Sequence, residues 1–150
     1  MILFLDYDGV LHPSFPRRDR TAEENQPFAY LSRLETVLRD FPEWQIVIAS
    51  SWRENRPWES VIQPFSPDIV SRIVGATPVL RAKEPPYTKH PRHDEILQFI
   101  SMRAQEGRWV VLDDDATLYP QGCPNLLICD DGFRDAEDKA LRQMLKNEAV

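Results

Sequence analysis

The amino-acid sequence predicts an α/β fold with a mostly parallel central sheet, and two patterns carry that expectation. Four short apolar runs stand out: "ILFL" at 2–5, "QIVIAS" at 45–50, "RWVVLDDD" at 108–115 and "NLLICD" at 125–130. They are rich in β-branched or bulky aliphatic residues and do not alternate with polar ones, which is how strands covered on both faces read. Between them, apolar residues recur at helical spacing. Phe28, Leu31, Leu34, Val37 and Leu38 form the first such set, Ile96, Phe99 and Ile100 after "RHDE" the second, and Ala140, Leu141 and Met144 the third. Strand and helix therefore alternate, as in a sheet layered between helices.

The first run, residues 2–5, is a buried strand that ends abruptly in Asp6 and Asp8. The segment "HPSFPRRDRTAEENQP" at 12–27 is polar and carries three prolines, so it reads as a loop or small flap. The helix expected from Phe28 leads to the second strand. Residues 53–91 hold seven prolines and one short helix around Trp58–Gln63. Trp44 and Trp109 stand at strand starts and read as structural. No repeat, low-complexity tract or linker divides the chain, and its 150 residues suit a single domain over 1–150 that buries a core without disulfides. Cys123 and Cys129 match neither a metal knuckle nor a redox dithiol, and both are expected reduced and structural.

With 24 acidic against 18 basic residues the net charge is -6, which excludes a protein that coats nucleic acid by bulk positive charge. The opening apolar run has no basic region before it and meets carboxylates where a signal peptide would stay apolar. No stretch approaches the ~18 apolar residues of a membrane span. A cytoplasmic protein is expected.

Ligands of an open parallel sheet bind beyond the carboxyl ends of its strands. Asp6 and Asp8 end the first run, Ser50 and Ser51 the second, and Asp113, Asp114 and Asp115 the third. Carboxylates gathered on one rim repel unless a cation offsets them. Hard oxygen donors favour Mg²⁺ over zinc. An EF-hand is excluded, because counting from Asp6 puts Arg17 where the bidentate Glu belongs.

"DYDGVL", "IVIASSW" and "WVVLDDD" resemble, in order, the first, second and fourth motifs of the haloacid dehalogenase (HAD) superfamily. "SSWRE", "VGATP", "RHDEI" and "VVLDDD" are similar, more narrowly, to HAD-like domains associated with bacterial RNA-repair proteins. The resemblance implies a three-layer Rossmann-like fold and a phosphatase acting through an aspartyl-phosphate. It implies Asp6 as nucleophile and metal ligand, and Asp8 as general acid and base whose backbone carbonyl also meets Mg²⁺. Gly9 would permit the tight exit from the strand. Ser50 would bond a phosphoryl oxygen, with Ser51 as the alternative. Asp114 would bind metal directly and Asp113 through a water, with Asp115 peripheral. A cation should stabilise the phosphoryl group; Lys89 is the first choice for that role, Arg92 follows closely on the narrower subfamily's spacing, and Lys83 is more remote.

Trp52 and Arg53 follow the second strand and offer a base stack or a phosphate clamp, against core packing of the Trp. "RRDR" at 17–20 and the group Lys83, Lys89, His90, Arg92 and His93 read as basic cover over an anionic substrate or as solvated charge. His12 and His93 receive no role. Between Asp8 and Ser50 lie 41 residues, and the interval from Ser51 to Lys89 is Pro-rich, so little or no cap domain is expected. An uncovered site suits a large substrate that excludes water itself, such as a phosphorylated nucleic-acid end. The alternatives are a small-molecule or nucleotide phosphatase and a catalytically silent metal-binding interaction module. A phospho-receiver domain fits poorly, because its acceptor strand would here carry Ser50.

Overall fold

The computed structural model describes residues 1–80, 88–103 and 107–147. Its centre is a five-stranded, all-parallel sheet in the order β3-β2-β1-β4-β5. The strands are β1 (Ile2–Leu5), β2 (Gln45–Ile48), β3 (Ile73–Ala76), β4 (Trp109–Asp113) and β5 (Leu126–Ile128). Four of them are the apolar runs read from the sequence. The fifth, β3, is an edge strand whose residues are all half-buried, and its pairing with β2 slips between Ile46 and Val47. Half-burial and Gly75 leave no continuous apolar run to find.

The β1 residues sort to two faces with period two. Leu3 and Leu5 join a core with Ile46, Ile48, Val110 and Leu112. That core is closed by α1 (Leu31–Asp40) and α6 (Asp135–Lys146), which contribute Leu34, Val37, Leu38, Leu141 and Leu145. Ile2 and Phe4 face the other way, against Ile96 and Phe99 of α5 (Pro91–Met102) and against Tyr119. Three layers result. The Pro-rich stretch supplies three short helices, α2 (Trp52–Asn55), α3 (Trp58–Ile62) and α4 (Pro67–Val70), of which α3 is the helix expected around Trp58. Among the described residues no helix is long and apolar enough to cross a membrane.

The helix expected from Phe28 starts three residues later. Phe28 itself has φ +59, a left-handed backbone that a bulky residue adopts at a cost, and its N–H points away from α1 to His12. Strand order reverses direction around β1: β2 and β3 lie on one side, β4 and β5 on the other. The carboxyl ends of β1 and β4 therefore border the crevice where an open sheet accepts ligands.

Candidate active site

Register brings the acids together. Leu5 pairs with Leu112, and Asp6 N–H donates to the Leu112 carbonyl at 3.1 Å, so Asp6 emerges beside Asp113. Carboxylate oxygens of Asp6, Asp113 and Asp114 all lie within 4.8 Å of one another. Asp6 is only 8% exposed, and its Oδ1 accepts the Tyr7 N–H at 2.8 Å. Burial first, and then the charges of Asp113 and Asp114, push the Asp6 carboxyl up to about 8, while Arg92 and the Tyr7 N–H pull it down. Asp114 rises to about 6 through burial and Asp113. Three hard oxygen donors too crowded to ionise together, with neutralisation still incomplete, fit a divalent cation such as Mg²⁺.

Neighbours fix each acid. Asp113, 1% exposed, accepts the Tyr119 hydroxyl on Oδ2 at 2.7 Å and the Asp115 N–H on Oδ1 at 3.0 Å. Asp114 accepts the Ser14 hydroxyl at 3.2 Å. It also packs on the α-carbon of Gly9, where a Cβ would come within 2.1 Å of the Asp114 Oδ2. Gly9 has φ +76, so both conformation and close approach require glycine there. Asp115 turns away and accepts the Thr117 N–H at the short 3₁₀ turn Ala116–Leu118.

Asp8 is held by both oxygens. Oδ1 is 2.8 Å from His12 Nε2, and Oδ2 accepts the Trp52 Nε1–H at 3.1 Å. His12 Nδ1 accepts the Phe28 N–H at 3.1 Å, so the proton resides on Nε2, the atom that donates to Asp8. His12, given no role from sequence, thus orients a candidate acid. Its signal was local: the turn that Gly9 opens closes with Gly9 N–H donating to the His12 carbonyl at 2.8 Å, which brings His12 back to Asp8.

Ser50 is fully buried at the end of β2, and its hydroxyl oxygen accepts the Trp52 N–H at 3.2 Å. Ser51 is exposed. The Trp52 ring packs against Tyr7, Phe28 and His12, and the Arg56 guanidinium lies 3.5 Å above it. Arg53 does not project outward. Its guanidinium is buried on the carbonyls of Ser50, Thr77 and Pro78 and on Glu95 at 2.7 Å. All three nitrogens of that fork are engaged.

Of the competing cations, Arg92 reaches the acids. Its Nε lies 3.9 Å from Asp113 Oδ2 and has no hydrogen-bond partner although buried, and its Nη1 is 3.4 Å from Glu95. Lys89 is exposed, makes no contact with the acids and precedes the helix. Lys83 lies outside the described residues. His93 packs beside Trp109 and Tyr119, away from the rim. Tyr119 and Ser14 joined the site without any motif to mark them, and Glu95, inside "RHDEI", joined it without having been singled out.

A cleft of about 650 Å³ between the flap, α1 and α6 is lined by Glu24, Tyr30, Arg33, Arg134 and Asp138 and contains none of the three acids. Its arginines are engaged, Arg33 with Asp135 and Asp138 and Arg134 with Glu24.

No curated protein and no solved structure matches the chain. One family model does, over residues 2–137, from the strand that delivers Asp6 through the first turn of α6. The chain belongs to that family, the HAD domains of Swiss Army Knife RNA repair proteins.

Proposed function

We propose that this HAD domain is a Mg²⁺-dependent phosphomonoester phosphatase that works through an aspartyl-phosphate on a phosphorylated nucleic-acid end. The observation that carries the reading is the meeting of Asp6, Asp113 and Asp114 within 4.8 Å, with Arg92 Nε 3.9 Å from Asp113 and without a hydrogen bond among the described residues. Asp6, Asp113 and Asp114, with the Asp8 carbonyl, would hold Mg²⁺. Bound there, the ion supplies charge neutralisation for the acids and for the phosphoryl oxygens.

An Asp6 oxygen attacks phosphorus as the bond to the leaving oxygen breaks, and Asp8 gives that oxygen a proton. Asp8, now a carboxylate, takes a proton from water as the water oxygen attacks phosphorus. The Asp6–phosphorus bond breaks and inorganic phosphate leaves. The Asp8 side chain is 47% exposed, and each of its oxygens keeps a lone pair beyond the bonds to His12 and Trp52, so a proton and a leaving group can reach it. His12 and Trp52 orient Asp8. Arg92 stabilises phosphoryl charge. The Ser50 hydroxyl, whose proton is unassigned, serves as the phosphoryl donor, with exposed Ser51 beside it.

The family's RNA-repair description and the absence, among the described residues, of a second sheet or helical layer over the acids favour a polynucleotide end over a small metabolite. The test is Mg²⁺-dependent phosphate release from an aryl phosphate by wild type and by Asp6→Asn. Oligonucleotides with a 3′- or 5′-phosphate are then compared with sugar phosphates. Activity confined to wild type and higher on oligonucleotides supports the reading. Full turnover by Asp6→Asn removes the nucleophile, and a preference for sugars removes the substrate class.

A further inference from the structure

We infer that the flap tip, Phe15 with Arg18, is a docking site for single-stranded nucleic acid, in which the Phe15 ring stacks on a base and the Arg18 guanidinium takes a phosphodiester. The inference rests on the nucleic-acid reading above and extends it to residues outside the catalytic motifs.

Three arginines occupy "RRDR", and their environments differ. Arg17 forks onto both Asp19 oxygens at 2.8 Å and reaches Asp131 at 3.3 Å. Arg20 is 8% exposed, and its two terminal nitrogens donate to the Tyr30 hydroxyl and to the carbonyls of Asp130 and Asp131. Both hold the flap in place. Arg18 is exposed and makes no hydrogen bond or ion pair among the described residues. In a chain of net charge -6 an unpaired guanidinium is a local attraction for phosphate.

Phe15 is 81% exposed, the highest value among the exposed large apolar residues. It does not ride on a loose loop. Ser14 beside it donates its N–H to Asp131 at 2.8 Å and its hydroxyl to Asp114 at 3.2 Å. Pro13 and Pro16 flank the pair and restrict the backbone on both sides. An aromatic ring is thus presented to water from an anchored stretch of backbone, next to the residue that bonds Asp114. An anchored backbone leaves only the two side-chain torsions of Phe15 to be ordered when a base covers the ring, and stacking accepts any base. Trp52, which bonds Asp8, is already packed by Arg56, Tyr7 and Phe28, and Tyr7 and Tyr119 are buried.

The test uses the 150-residue chain carrying Asp6→Asn, so that bound strand is not turned over. The probes are short single strands with a phosphate at the 3′ or the 5′ end and 2-aminopurine as the base at that end. Binding is read by anisotropy, and stacking by quenching of the 2-aminopurine. Phe15→Ala should weaken binding on the order of tenfold and abolish the quenching. Phe15→Leu, which keeps an apolar group without a ring, should restore less than half of either. Arg18→Gln should lower the slope of log affinity against log salt by about 0.7. Equal quenching and affinity with Phe15→Ala, or an unchanged salt slope with Arg18→Gln, overturns the inference while the nucleic-acid reading stands. Absence of strand binding by the parent protein overturns both. A Phe15→Ala effect confined to self-association assigns the tip to a protein contact and also overturns it.

Discussion

Replacing Asp6 with Asn should stabilise the metal-free protein while abolishing turnover, because the site stores repulsion that only a cation relieves. The carboxyl of Asp6 moves from an ordinary 3.8 to about 8, through burial and then through Asp113 and Asp114. Its folded-state value is raised, so below 3.8 both folded and unfolded chains hold the proton and no penalty exists. Between 3.8 and about 8 the unfolded chain releases the proton and the folded chain keeps it, so stability falls as pH rises and then levels off. At about 1.4 kcal/mol per pH unit the whole window corresponds to a ceiling of about 6 kcal/mol. Water entry and relaxation around a charged carboxylate reduce that to about 2–4 kcal/mol. Asn keeps the acceptor for the Tyr7 N–H, now 2.8 Å from Oδ1, and titrates nowhere in this range. Thermal melts in chelator from pH 4 to pH 9 should therefore show two curves that nearly meet at the acid end. They should separate by roughly 5–15 °C above pH 8, with Asp6→Asn the higher. Adding Mg²⁺ should raise wild type more than the variant, since binding to the folded state is favoured by the carboxylate. Parallel curves at all pH values, or a variant less stable throughout, would refute the account of crowded acids.

Arg92→Gln should lower kcat on an aryl phosphate by about 10²-fold, the loss typical of one charge-stabilising donor, while Lys89→Ala should change it by less than about threefold. The reverse order in steady-state assays would return the phosphoryl cation to Lys89. His12→Ala should cut kcat by about 10–10²-fold on phenyl phosphate and by much less on dinitrophenyl phosphate, whose leaving group needs no proton, with KM little changed. Trp52→Phe, which removes only the second donor to Asp8, should show a weaker form of the same dependence. Asp8→Asn sets the reference. Equal losses on both substrates for His12→Ala would leave His12 a packing residue.

The sheet was largely legible because its interior strands are buried on both faces, which forces apolar runs at Ile2–Leu5, Gln45–Ile48 and Trp109–Asp113. The rule fails at β3, where edge position relaxes burial and Gly75 fits the slipped pairing. Helical spacing overreached at Phe28 for a related reason. Periodicity records which residues are apolar, and half-buried Phe28 packs its ring on Tyr7, His12 and Trp52 with a backbone turned out of the helix. Among the site residues, the three acids announced themselves because a carboxylate at a strand end opposes every local preference of a strand. Charge alone could not rank Lys89 against Arg92. Helix register does: α5 begins at Pro91, so Arg92 enters its first turn and meets Glu95 three residues on, and Glu95 is anchored in turn by Arg53. A buried ladder of Arg53, Glu95 and Arg92 thereby aims one guanidinium edge at Asp113.

The same distinction between charge as composition and charge as position governs the flap. Polar residues and prolines at 12–27 read as a loop or small flap, and its bonds tie it firmly in place. Ser14 ties the flap to Asp114 and Asp131, Arg17 to Asp131, and Arg20 to the Asp130 and Asp131 carbonyls. The receiving segment is itself constrained. Asp131 has φ +53, and a Cβ at Gly132 would meet the Tyr30 ring at 2.4 Å. A flap with this many partners on one rigid turn acts as a wall rather than a lid. Among the described residues the flap then offers the site no closure from this side, and under the proposed function the substrate would supply that part of the water exclusion. That requirement disfavours a small phosphate ester, which cannot cover the rim, and favours a polymer end whose adjoining residues lie across the outer face of the flap, where Phe15 and Arg18 stand free.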